Sequence, residues 1–209
     1  MMIKPGIILI GAGGHASACI DVIEQENRFS IVGLIGIETD LAKKCLPYEV
    51  IGTQNNLKSF LEKSQYALIT IGHSKGLEYR GKLFEQIATM GYEIPSVISP
   101  LSYLSKYSNV GNGTIVMHGA KINAGGNVGD NCIINTGALV EHGSLIGSNC
   151  HISTGVIVNG DVRIGSGTLI GSGAIIKEGV TIGSNVRIGM GVTVRKDIED
   201  NTTYVGEVK

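Results

Sequence analysis

From Val110 to Val194 every sixth residue is Val or Ile, fifteen positions in succession. So strict a period marks a repeat architecture, in which each short unit buries its apolar residue against its neighbours and not within itself. Counting each hexad from its Val or Ile, the fourth slot is always Gly, Asn or Asp, as at Gly113, Asn131, Gly143, Asp161, Asn185 and Asp197. These residue types share a tolerance of positive φ, so a turn that requires it recurs every six residues. The fifth slot is small or β-branched, as at Thr114, Ala120, Cys132 and Ser144, which suits a narrow packed interior. One short strand and one turn per hexad wind into a parallel β-helix.

The signature resembles the left-handed hexapeptide-repeat family, and the handedness is implied by that resemblance. In that family three hexads close one triangular coil, so residues eighteen apart stack. Fifteen hexads then make five coils, roughly 24 Å tall at the ~4.8 Å spacing of neighbouring strands. Cys132 and Cys150 are eighteen apart in the inward fifth slot and are expected as stacked core residues, with Cys19 in a helix and Cys45 in a loop; no metal or disulfide role is expected. The 31 glycines serve the repeat's turns. A net charge of −1 with interspersed acids and bases gives no footprint for nucleic acid or an anionic membrane. No apolar stretch reaches eighteen residues and the N-terminus lacks a signal-peptide plan, so a cytoplasmic protein is expected.

Residues 1–98 read as a small α/β domain. The run Ile7–Ile10 leads into Gly11-Ala-Gly-Gly-His-Ala16 and a helical pattern through Cys19, Ile20, Val22 and Ile23. Strands are expected at Ile31–Leu34, Tyr66–Ile71 and Ile94–Ile98, with helices at Asn55–Lys63 and Tyr79–Met90. This alternation predicts a Rossmann-like parallel sheet. Around residues 99–108 the hexad pattern takes over, with Leu104 opening a degenerate first turn, and residues 99–209 form the β-helix with a short tail. Gly11, Gly13 and Ala16 satisfy G-x-G-x-x-G/A after a strand. Half a dinucleotide domain without an acid at the end of the second strand, where Ile35 and Gly36 stand, argues against NAD. A phosphate at the helix N-terminus is favoured, because free N–H groups and the helix dipole attract anions there.

The Gly-Ala-Gly-Gly-His start, the small α/β domain and the repeats carrying Asn135-Thr-Gly-Ala-Leu-Val-Glu-His142, with His151 nine residues later, resemble the sugar O- and N-acyltransferases of the PglD/NeuD/VioB type. The resemblance implies acetyl transfer from acetyl-CoA, without a metal, to the amino group of a dTDP- or UDP-linked 4-amino-4,6-dideoxy sugar for surface polysaccharide or glycan biosynthesis. An O-acetyltransferase of a sialic acid or other sugar hydroxyl is the alternative. It also implies a homotrimer with active sites in the grooves between β-helices.

His142 lies in the third slot, so its side chain is expected to project from a corner. The resemblance makes it the general base, and a neutral imidazole can take a proton from an attacking amine at cellular pH. Adding eighteen puts Gly160 one coil above it, leaving room for a thioester and offering an N–H to the oxyanion. Glu141 adjoins His142 and is expected to orient or polarise it; the family's second Glu after the histidine is here Gly143, as the turn slot demands. Asn135 shares the second slot with Glu141. The resemblance gives His151 a contact with the acetyl group or thioester, and Ser172 and Met190, stacked above Thr154, a contact with CoA. It places the nucleotide sugar on Gly13, Gly14 and His15, closed by Gly72 and His73, with Arg80 as a candidate diphosphate partner. Relatives that bind uridine often carry paired aspartates at positions 35 and 36, so their absence keeps a thymidine-linked sugar open. A remote reading, a zinc carbonic anhydrase, would need His118, His142 and His151 to converge.

Overall fold

The computed structural model describes residues 4–72 and 77–206. The chain divides into two compact units, Met1–Val97 and Ile98–Lys209.

The first unit is built on a five-stranded sheet of β1 (Gly6–Ile10), β2 (Ser30–Gly36), β3 (Lys44–Cys45), β4 (Tyr48–Thr53) and β5 (Tyr66–Ile69), in the order β3-β4-β2-β1-β5. All pairs are parallel except β3 with β4. The sheet is therefore mixed, where alternating strands and helices predict a purely parallel one. Ile7–Ile10 are fully buried, as a central parallel strand covered on both faces must be. Helix α1 (Gly14–Glu26) buries Ala16, Cys19, Ile20, Val22 and Ile23, the expected stripe, and ends with Asn27 in the left-handed region at φ 60°. Helix α2 is Leu77–Thr89.

Two expectations are corrected. The helix predicted at Asn55–Lys63 is a 3-10 helix over Gln54–Phe60, kinked at Asn56. Its N-terminus is held by the Asn56 carboxamide accepting the Thr53 N–H at 2.8 Å. The closing strand predicted at Ile94–Ile98 does not join this sheet; Glu93, just ahead of it, bridges Tyr66, and Ile98 packs against the core of the second unit.

The second unit is a left-handed parallel β-helix, assembled from two-residue strands on three faces. The first face stacks six strands from Tyr103–Leu104 to Thr193–Val194, the second five from Asn109–Val110 to Thr181–Ile182. The third stacks Ile115–Val116, Ile133–Ile134, His151–Ile152, Leu169–Ile170 and Arg187–Ile188. Pairing is between residues eighteen apart, such as Lys121 with Leu139 and Val140 with Val158. First-slot residues from Val116 to Val194 are buried, and Ile98 and Leu104 pack against them, so the coil begins ahead of Val110. Cys132 and Cys150 stack in the core, the Cys150 N–H donating to the Cys132 Sγ at 3.3 Å.

Every fourth-slot residue from Gly113 to Gly191 has positive φ. Asp197 does not, and the period slips there. Ile182 bridges Ile198 rather than a residue eighteen later, and Asn185 reaches Asn201, which has φ 58°. The last coil is two residues short because Ile198 takes the inward place early.

Candidate active site

Residues in the second to fifth slots turn the chain from one face to the next, so third-slot side chains stand on the prism's edges. The edge between the first and second faces carries His142. Its imidazole is exposed, and neither ring nitrogen has a hydrogen-bond partner among the described residues. Both nitrogens are thus open to a ligand. Gly160 stacks above it: a Cβ there would stand 2.5 Å from Cε1 and 2.8 Å from Nε2 of His142. The expected stacking is present, and the missing side chain makes room for the imidazole. The Gly160 carbonyl accepts the Gly179 N–H at 2.9 Å, while its own N–H takes no part in the backbone ladder.

Glu141 does not contact the imidazole. Its carboxylate accepts the Asn123 amide N–H at 2.7 Å and, more weakly, the backbone N–H of His142 at 3.4 Å. Second-slot side chains stack on the second-slot residue of the preceding coil, which directs Glu141 down onto Asn123. Gly143, at φ 67°, has Asp161 Oδ1 in the space a Cβ would fill, so the turn excludes the family's glutamate on two counts.

The edge between the third and first faces carries His118, Asn135, Thr136, Thr154, Ser172 and Met190. Ser172 is exposed, and Met190 is 81% exposed, the largest value among the exposed large apolar residues. His151, on the third face, lies against this edge through Asn135. The Asn135 carboxamide oxygen accepts the Thr136 N–H at 2.8 Å, which fixes the amide and turns its NH₂ to His151 Nε2 at 3.2 Å. Nε2 must accept, so the neutral ring carries its proton on Nδ1. His151 is buried rather than solvated. His118 instead bonds Ser99 Oγ through Nδ1 at 2.6 Å. His142 and His118 stand on different edges, and the described residues contain no cluster of metal-ligating side chains. One chain therefore divides the expected acyl-transfer residues between two edges that bound the same face.

In the first unit a cavity of about 350 Å³ opens beyond the C-terminal ends of β1, β2 and β5. It is lined by Gly13, Gly14, His15 and Gly72, as expected, and by Asp40 and Gln54, which were not. His73 lies outside the described residues. A Cβ on Gly13 or Gly14 would meet nothing within 4 Å, so bare backbone faces the cavity. Gly13 caps α1 with no side-chain hydrogen bond, and no acid occupies the first turn. Free N–H groups and the positive helix end thus favour an anion. Sheet order changes direction beside β1, the usual place for a ligand in an open α/β sheet.

Arg80 is not on the surface, and Nη1 of its guanidinium is engaged by backbone carbonyls. It is 1% exposed and donates from Nη1 to the carbonyls of Ile69 at 2.8 Å and Ile71 at 2.9 Å, holding the end of β5. Burial first, and the nearby Arg80 charge second, push the His15 imidazole down to about 4. His15 is therefore neutral at cellular pH, and its buried Nε2 has no hydrogen-bond partner among the described residues. A neutral ring with an unused nitrogen recognises a hydroxyl or amide better than it neutralises a phosphate.

Residues 6–87 match the PglD N-terminal domain, and residues 161–196 match the bacterial transferase hexapeptide family of six repeats. The first unit thus resembles the N-terminal domain of PglD and the second the hexapeptide transferases, the domain pair of the PglD/NeuD-type sugar acyltransferases. Among solved structures, PerB from Caulobacter crescentus, in complex with CoA and GDP-perosamine, superposes with a TM-score of 0.89 at 29% identity, over 97% of this chain and 95% of that one. Two histidine-substituted variants of perosamine N-acetyltransferase from the same organism, each in complex with CoA and GDP-perosamine, superpose with a TM-score of 0.90 at 29% identity, over 97% of this chain and 94% of theirs. The acetyltransferase domain of PglB from Neisseria gonorrhoeae, in complex with acetyl coenzyme A, matches at 29% identity with a TM-score of 0.88, covering 96% of each chain. WeeI from Acinetobacter baumannii, at 21% identity and a TM-score of 0.83, shares the fold over 96% of this chain and 97% of that one. No curated protein matches the sequence.

Proposed function

We propose that this PglD/NeuD-type acyltransferase transfers acetyl from acetyl-CoA to the amino group of a nucleotide-linked amino sugar. The observation that carries the reading is the His142 edge: an exposed imidazole with both nitrogens unused, seated under a glycine whose N–H is also unused. Acetyl-CoA supplies the thioester. His142 accepts a proton from the attacking amine, and the Gly160 N–H faces the negative charge that develops on the acyl oxygen. Asn135 holds His151 in its Nδ1–H tautomer and fixes the ring beside the edge that Ser172 and Met190 occupy. Ser172 and the solvent-facing Met190 line the path for the pantetheine chain. Gly13, Gly14 and His15 hold the nucleotide end of the sugar substrate. The expected 4-amino-4,6-dideoxy sugar, and its use in a surface polysaccharide or glycan, belong to the same proposal.

The two edges work together in a homotrimer. Leu139, Ile157 and Ile175 point outward from successive coils of the first face, and Ile175 is 39% exposed. Packing that face around a threefold axis buries the apolar stripe and sets the His142 edge of one copy against the His151–Met190 edge of the next. The groove so formed brings His142 and Gly160 of one copy to His151, Ser172 and Met190 of the next.

The test is acetyl-CoA-dependent thiol release across 4-amino sugars linked to UDP, dTDP and GDP, beside CMP-sialic acid as the hydroxyl acceptor. The proposal expects turnover with an amino sugar and an amide in the product. Turnover with the hydroxyl acceptor alone would replace N- by O-acetylation, and none with any acceptor would overturn the reading.

A further inference from the structure

Acidic side chains are absent from the end of β2, yet one returns to it. After Gly36 the chain runs through Ile37 into a single 3-10 turn, Glu38–Asp40, closed by the Asp40 N–H donating to the Ile37 carbonyl at 2.8 Å. The turn folds Asp40 back, so that its Oδ2 accepts the Ile37 N–H at 3.4 Å and its Oδ1 pairs with Lys43 at 3.2 Å. Gly36 makes this possible. A Cβ at position 36 would stand 2.9 Å from the Asp40 Cβ and 2.9 Å from Val50 Cγ1. Asp40 consequently lines the same cavity as Gly13 and Gly14, with Ile35, Ile37 and Gln54 between and around them.

The cavity is polarised. One end offers free N–H groups at a helix N-terminus; the other offers a carboxylate, which accepts hydrogen bonds only. A phosphate is attracted to the first and repelled by the second. A vicinal diol, with two hydroxyl donors, is the part of a nucleotide that suits a carboxylate. In open α/β sheets with a glycine turn after the first strand, an acid at the end of the second strand meets the ribose for the same reason.

We propose that Asp40 binds the ribose hydroxyls of the nucleotide sugar, and that the enzyme therefore selects a ribonucleotide-linked over a 2′-deoxyribonucleotide-linked substrate. This rests on the nucleotide-sugar reading of the cavity. It favours UDP or GDP over dTDP, a choice that Ile35 and Gly36 leave open. Asp40 is a binding residue and takes no part in acyl transfer.

The experiment is equilibrium titration of the full chain, wild type and Asp40→Asn, with UDP, GDP and their 2′-deoxy counterparts. Wild type is expected to bind the preferred ribonucleotide roughly ten- to hundredfold more tightly than its deoxy form, the range for losing a hydrogen bond to a charged group. Asp40→Asn should weaken the ribonucleotide and collapse that ratio towards one. The ratio matters because freeing Lys43 alters phosphate attraction for both members of a pair equally. Asp40→Ala, a second variant, should give the same collapse, and unchanged thermal melting checks that either variant is folded. An equal affinity of wild type for ribo- and deoxynucleotide, or an unchanged ratio in folded Asp40→Asn, overturns the proposal. So does a loss confined to guanine nucleotides but equal for GDP and 2′-deoxy-GDP, which would assign Asp40 to the base. Failure of wild type to bind any of the four overturns the nucleotide-sugar reading itself.

Discussion

The β-helix and the α/β unit both use glycines where a side chain would block an edge or a cavity, but for different mechanical reasons. In the β-helix every contact is a translation by eighteen residues, so an edge position is defined by what stands one coil above or below it. Gly160 is required because His142 lies beneath it. In the α/β unit the glycines act singly: Gly13 and Gly14 bare a helix end, and Gly36 admits Asp40. A periodic scaffold makes its site by register, an aperiodic one by local exceptions to good packing.

The comparison can be broken most decisively on the His142 edge. His142→Ala is expected to lower kcat by 10²–10⁴ with little change in thermal stability, because the side chain is exposed and unbonded. Gly160→Ala should cost roughly a hundredfold in kcat, since its methyl displaces the imidazole, while stability holds because that imidazole is free to swing into solvent. Near-normal turnover in Gly160→Ala would show that the stacked register is incidental.

The α/β unit answers to pH instead. The folded His15 pKa of about 4 lies below the ordinary value of 6.5, so between these values the unfolded chain binds the proton and the folded chain resists it. Its contribution to stability, up to roughly 3 kcal/mol, is present in full above pH 6.5 and lost as pH falls towards 4. Denaturant melts between pH 7 and 4 should show this slope, and His15→Gln should flatten it. A slope that survives the substitution would assign the acid sensitivity to other groups.

The smallest effect sharpens the contrast within one edge. Gly143→Ala should destabilise by about 1–2 kcal/mol, from a side chain at φ 67° crowding Asp161. Paired with Gly160→Ala, it separates a glycine required by the turn from one required by the neighbouring ring. Equal melting temperatures for the two variants would erase that distinction.

The β-helix was legible wherever translation governs: the inward Val and Ile slots, the stacked cysteines and Gly160 over His142 all follow from counting. The same count, applied to Glu141, points to Asn123 and away from the imidazole; adjacency in sequence misleads on a prism edge. The slip at Asp197 is hidden because Ile198 is itself apolar and replaces the expected inward residue. In the α/β unit the glycine loop was legible from its spacing. Asp40 was not, because its return to β2 depends on a three-residue 3-10 turn and on the space above Gly36. Nor was Arg80, whose burial is offset by carbonyls at the end of β5 that no local pattern announces. The β3–β4 pair escaped because β3 has only two residues, Lys44 and Cys45, with no alternation to read, and pairs with only the first two of β4.

The central claim is that two edges of different copies make one groove, and mixing protomers tests it directly. His142→Ala and His151→Ala chains, each inactive alone, are denatured together in equal amounts, refolded and assayed for thiol release. The account predicts recovery to about a quarter of wild-type activity, since a groove needs an intact His142 edge from one copy and an intact His151 edge from its neighbour. Mixed protein no more active than either variant alone would contradict it.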